Sequence, residues 1–211
     1  MEELQTLVKR IKTNADIEEA IKQYLSIMTI REKIGQLFQI SCGDENIPQD
    51  IIQTIRDGRV GSFLNVWKTE NTNQMQKIAM EDSRLKIPLL IGRDVIHGYR
   101  TIFPIPLAQA ASFNLEAVES GNRIAAIECS AMGQKWTFSP MVDIARDPRW
   151  GRIAEGYGED PYLAAQMGVA AVKGYQTKDL KDITSVAACG KHYVGYGATE
   201  GGRDYNTATI G

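Results

Sequence analysis

Cysteine and histidine are scarce in this chain, and much chemistry is excluded by that alone. The three cysteines, Cys42, Cys129 and Cys189, are far apart and form no C-x-x-C pair, so neither a disulfide framework nor a zinc ribbon is expected. His97 and His192 are the only histidines, with no H-x-x-x-H and no carboxylate partner at zinc spacing, so no metal or other cofactor is expected. No run nears the ~18 unbroken apolar residues of a membrane span, and Met1 to Arg10 lacks the apolar core of an export signal. With unpaired thiols, this points to a soluble cytoplasmic chain. Neither sign of charge dominates: 24 basic residues face 26 acidic ones, for a net charge of -2, and nothing attracts nucleic acid or a membrane surface. Absent too are a G-x-x-x-x-G-K loop, a G-x-G-x-x-G following a strand, and a G-x-S-x-G nucleophile turn.

What remains is ordinary globular composition, 43 % hydrophobic and 24 % charged. Leu4, Leu7, Val8 and Ile11, then Ile17, Ala20, Ile21, Tyr24 and Leu25, recur at helical spacing and form a helical lead-in over 1–27. Thr29 with Glu32 three residues later has the form of a capping box opening a helix through Ile34, Leu37 and Phe38. Further helices are expected over 47–55, 72–84, 115–132 and 161–175, and strands over 59–66, 87–92, 136–139 and 184–190. Alternation of apolar strands with helices predicts an α/β fold with a parallel sheet, doubly wound or a (β/α) barrel. The 211 residues fall short of the ~250 typical of a complete eightfold barrel.

Strand candidates are followed by polar clusters: Arg93-Asp94 with His97, then Asp143 to Arg152, then Lys191-His192. One such cluster most simply begins a solvated loop, but three in phase point to convergence, because strand C-termini form the ligand face of α/β proteins. An ionised Asp94 only accepts hydrogen bonds and suits paired hydroxyls, whereas Arg152 and Lys191 only donate, and His192 does either. The plainer reading is a structural ion-pair network, with Asp94 paired to Arg93. Arg146 and Arg149 fit a structural role, and Cys189 inert packing.

At these residues the chain resembles the N-terminal catalytic domain of glycoside hydrolase family 3, the group dominated by β-glucosidases. The likeness runs from Met28-Thr29-Ile30-Arg31-Glu32-Lys33-Ile34-Gly35-Gln36 through Gly92-Arg93-Asp94-Val95-Ile96-His97-Gly98 and Phe103-Pro104-Ile105-Pro106. It continues through Ser139-Pro140 and Arg146-Asp147-Pro148-Arg149-Trp150-Gly151-Arg152-Ile153-Ala154-Glu155 to Lys191-His192-Tyr193 and Glu200-Gly201-Gly202-Arg203-Asp204-Tyr205. The resemblance implies that residues 28–211 are the first half to two-thirds of a (β/α)8-type barrel, with the rest of the barrel and a second domain outside this sequence. It implies that Asp94, Arg152, Lys191 and His192 bind the hydroxyls of the sugar at the cleavage point, and that Lys191-His192 is joined by a cis peptide. Arg93, His97, Glu155, Arg203 and Asp204, from the same motifs, are candidates for supporting those contacts.

The implied activity of the parent enzyme is hydrolysis of terminal non-reducing β-D-glucosyl residues by a retaining mechanism, with two carboxyl groups ~5 to 5.5 Å apart. The nucleophilic aspartate is expected beyond Gly211, so no catalytic residue is assigned within the chain, which is expected to be inactive alone. Tyr196 and Ala198-Thr199-Glu200 depart from the K-H-F-P-G-H-G pattern of the N-acetylglucosaminidase branch and favour the glucosidase branch. Two readings stand beside this one: a non-catalytic sugar-binding or assembly module, the incomplete barrel completing itself by self-association, and a Schiff-base aldolase on the same barrel with Lys191 as nucleophile.

Overall fold

A computed structural model describes residues 1–11, 13–43 and 46–211, in two compact units, Met1–Ile91 and Gly92–Gly211. In the first unit, α1 (Glu2–Lys9) and α2 (Asn14–Ile27) form the helical lead-in, and α3 (Ile30–Leu37) follows at once. Both α2 and α3 begin with a closed capping box, Thr13 with Asp16 and Thr29 with Glu32, in which each side chain satisfies a backbone N–H near the other. Glu32 is tied further to Arg84, whose Nη2 and Nε donate to its two oxygens at 2.6 and 2.8 Å.

Strand β1 (Gln39–Ser41) comes directly after α3, then α4 (Gln49–Arg56), β2 (Ser62–Leu64) and α5 (Thr69–Lys77), which ends in one π-helical turn, Ile78–Asp82. Strands β1 and β2 run parallel, Ile40 opposite Phe63. Phe63, Ile55, Val60, Val66, Met75 and Ile91 are buried together beneath them. Gly35 permits α3 to lie on the turn after α4: a Cβ there would sit 2.2 Å from the Gly58 carbonyl oxygen.

Strand β3 (Leu90–Arg93) carries the chain into the second unit, where Gly92 and Arg93 pair in parallel with Trp136 and Thr137 of β4 (Trp136–Thr137). Between them lie α6 (Pro106–Ala111) and α7 (Leu115–Ala131), the latter capped by the Asn114 side chain. Helix α8 (Pro161–Gln176), capped by Asp160 and opened by a proline whose missing N–H costs nothing there, packs along α7. Ala125, Ala126, Met167, Ala171, Tyr175 and Val186 bury themselves between them and the sheet. The contact is close because α8 is small-faced: a Cβ on Gly174 would lie 2.4 Å from the Glu119 carbonyl oxygen.

The α/β class with parallel strands is as expected, but the strands differ in two places. β1 was not anticipated: three residues with no turn between them and α3 leave no period-2 signal. The strand expected over 184–190 is reduced to bridges from Ala187 to Trp136 and from Lys191 to Met141, both parallel. The two bridges are five residues apart on one segment and four on the other, so the register shifts by one between them and the ladder is not continuous. Helix α6 was likewise not expected.

Candidate functional site

Asp94 follows β3 directly, and the next residue, Val95, is anchored by its N–H to the Thr137 hydroxyl at 3.3 Å. Lys191 is positioned by its backbone: its N–H donates to Pro140 O at 3.0 Å and its carbonyl accepts from Val142 N–H at 2.8 Å. These two short segments bring Lys191 Nζ to 3.1 Å from Asp94 Oδ1, the lysine side chain 14 % and the aspartate 52 % exposed. The ammonium is thus sheltered and paired, while half the carboxylate surface still faces outward, available to a ligand.

His192 follows through a cis peptide, and its ring and backbone both turn to Asp143: Nδ1 lies 2.7 Å and the backbone N–H 3.0 Å from the same Asp143 Oδ2. Arg152 rises from the 3₁₀ turn Gly151–Glu155, where residues three apart share a face, and Glu155 receives Nε at 2.6 Å and Nη2 at 2.8 Å. The remaining guanidinium nitrogen, Nη1, reaches the Tyr196 hydroxyl at 3.4 Å, with the guanidinium carbon 5.2 Å from the centre of the Tyr196 ring. The Tyr196 ring also meets the His192 ring edge to face, centroids 4.7 Å apart.

The proximity of these groups shifts their titration. Glu155 is held below the usual carboxylate range chiefly by Arg152, against the opposing effect of burial, and the charge of nearby Lys191 adds to the lowering. Arg152 is pushed up from its ordinary value by the same pairing. Burial, reinforced by the neighbouring Asp204, raises the Tyr196 phenol to about 12. The structure therefore brings Asp94, Arg152, Lys191 and His192 into one neighbourhood of fixed cationic donors and one open acceptor.

The five supporting candidates divide. Glu155 braces Arg152, and Asp204 accepts from the buried Trp150 indole at 2.9 Å and from the Tyr196 hydroxyl at 2.6 Å. Arg93 lies over the Tyr99 ring at 5.0 Å. His97 turns to the Phe103 carbonyl at 2.8 Å and lines a cavity of about 190 Å³ with Phe103, Ala117 and Gly121. Arg203 is exposed, its backbone N–H on Glu200 O. Sequence reasoning missed the parts played by Asp143 and Tyr196. Asp143 opened a polar cluster, and its value as a partner depends on the Met141–Lys191 bridge, which no local pattern announces.

Residues 29–211 match the model of the glycosyl hydrolase family 3 N-terminal domain. The periplasmic beta-glucosidase of Salmonella typhimurium is 49 % identical over 190 residues, covering 90 % of this chain and 25 % of that protein. The crystal structure of a beta-glucosidase from Listeria innocua in complex with glucose superposes with a TM-score of 0.84 at 39 % identity, covering 92 % of this chain and 29 % of that one. A mutant of the Listeria enzyme in complex with laminaribiose gives the same score and identity. This chain thus spans about a quarter of the length of the curated relatives it matches. No helix among the described residues is long and apolar enough to cross a membrane. On the match over 29–211 and the agreement of fold, the chain belongs to glycosyl hydrolase family 3, in its N-terminal domain.

Proposed function

We propose that the protein hydrolyses terminal non-reducing β-D-glucosyl residues by a retaining mechanism, and that this chain supplies the part of the site that holds the sugar. Asp94 accepts from two neighbouring ring hydroxyls, while Lys191 and Arg152 donate to hydroxyl oxygens and His192 completes the set. The observation that carries this reading is the 3.1 Å contact of Lys191 with Asp94: two charges 97 positions apart are held together with the carboxylate left half open. A pyranose hydroxyl both donates and accepts, so a paired acid and base at that spacing engage it without leaving either charge unmatched. The same contact speaks against Lys191 as a Schiff-base nucleophile, because its nitrogen is committed as a donor to the carboxylate. The glucose and laminaribiose complexes of the Listeria enzyme support the substrate class. For compartment, the reading follows the Salmonella relative to the periplasm rather than the cytoplasm, and fractionation of the source cell tests it.

Calorimetric titration with glucose tests the sugar site. The wild-type chain binds saturably, and Asp94→Ala weakens binding by about tenfold or more, the cost of losing a charge-assisted acceptor. Absence of saturable binding by the wild type, or equal affinity in Asp94→Ala, overturns the proposal.

A further inference from the structure

Asp143 is among the most buried charged residues described, its side chain 2 % exposed, yet it spends one oxygen, Oδ2, on two groups of a single neighbour. The His192 backbone N–H must be a donor. An ionised carboxylate only accepts, so the 2.7 Å contact with Nδ1 requires the proton to be on Nδ1. We infer that Asp143 is a positioning residue that fixes His192 as the Nδ1–H tautomer, leaving Nε2 of the neutral ring as a hydrogen-bond acceptor toward a ligand hydroxyl.

The consequence is a second acceptor in a site otherwise built of donors. Lys191 and Arg152 offer only N–H groups, and Asp94 is the open acid beside them. With Nε2 accepting, a sugar hydroxyl can give its proton to His192 while its oxygen receives one from a neighbouring cation. The opposite tautomer would put another N–H among those of Lys191 and Arg152 and leave the hydroxyl proton without a partner. The ring is also fixed in plane: Asp143 holds one edge while Tyr196 packs at 86° to it. The parallel bridge of Met141 with Lys191 brings the two segments side by side, with Asp143 two positions past Met141 and His192 one position past Lys191. The ligand role of the ring rests on the sugar-binding reading above, whereas the tautomer does not.

Nitrogen-15 NMR of the 211-residue chain, labelled at histidine and recorded at alkaline pH, tests this directly, because His97 and His192 are its only histidines. His192→Asn assigns the ring signals. The expected result is an Nδ1–H ring for His192 in the wild type and in Asp143→Asn, which keeps an acceptor oxygen without the charge. Asp143→Ala is expected to give a mixture with the Nε2–H form. Glucose affinity should fall about tenfold in Asp143→Ala and stay within about twofold of wild type in Asp143→Asn. An Nε2–H ring in the wild type, unchanged ring signals in a folded Asp143→Ala, or a loss of affinity in Asp143→Asn as large as tenfold overturns the inference. If Asp143→Ala does not fold, the wild-type ring and Asp143→Asn decide it. A wild-type chain that binds no glucose defeats the carbohydrate reading while the ring signals still decide the role of Asp143.

Discussion

Glu155 grips the Arg152 guanidinium by two nitrogens, at 2.6 and 2.8 Å, from three residues away on a single 3₁₀ turn. Only a planar fork can meet both carboxylate oxygens at once, so the pair sets the plane of Arg152 as well as its position. Arg152→Lys keeps the charge but not the fork. Glucose affinity is expected to fall about tenfold, with the fold intact by circular dichroism, because a flexible ammonium is not held in one orientation. Unchanged affinity would mean that charge alone suffices there.

Tyr196 links three parts of the site: its hydroxyl meets Arg152 and donates to Asp204, and its ring meets His192. Tyr196→Phe keeps the ring and removes the hydroxyl. Asp204 is held below the ordinary carboxylate value first by the Tyr196 hydroxyl and next by the Trp150 indole, so its titration should move upward in this variant. Carboxyl carbon-13 NMR reads that shift, and the Trp150 indole N–H signal should persist as a sign that the second donor remains.

The Glu32 carboxyl is lowered from its ordinary 4.5 to about 2, first by Arg84 and with help from Thr29, burial opposing. A carboxylate depressed in the folded state contributes stability that is complete above pH 4.5 and is lost as pH falls toward about 2. Glu32→Gln should therefore flatten the pH dependence of stability in that window and cost about 1 kcal/mol at neutral pH, a modest figure because Arg84 is half exposed and screened. Urea unfolding at a series of pH values checks both.

Gly174 on α8 faces the backbone of α7, and an added Cβ would stand 2.4 Å from Glu119 O and 2.8 Å from Asn122 Cβ. Neither atom can give way without moving a helix. Gly174→Ala should lower stability by about 1–3 kcal/mol despite alanine's better helix propensity. The urea midpoint reads the sign, and an increase would show that α7 and α8 separate easily.

Much of this protein was legible before any coordinates. The helices announce themselves where the signals are local: Thr29 and Glu32 close their box, and Pro161 opens α8. The residues that gather in one neighbourhood stood out in the sequence too, Asp94 and Lys191 at the ends of apolar segments and Arg152 and His192 within long motifs whose residue types carry their own chemistry. β1 escaped because three residues hold no period, and the strand over 184–190 was overdrawn because small apolar residues look alike whether or not their partner can complete a ladder.

Local order along the chain therefore determined the α/β class, the helix starts and the identity of the charged groups that gather at the site. Tertiary structure alone decided how those groups pair. Lys191 meets Asp94, Asp143 takes hold of His192, and Tyr196 stands between His192 and Arg152. The reason is physical: a capping box or a helical stripe is written within a few residues, whereas a hydrogen bond across 49 or 97 positions depends on which strand ends the packing of α7 and α8 brings side by side.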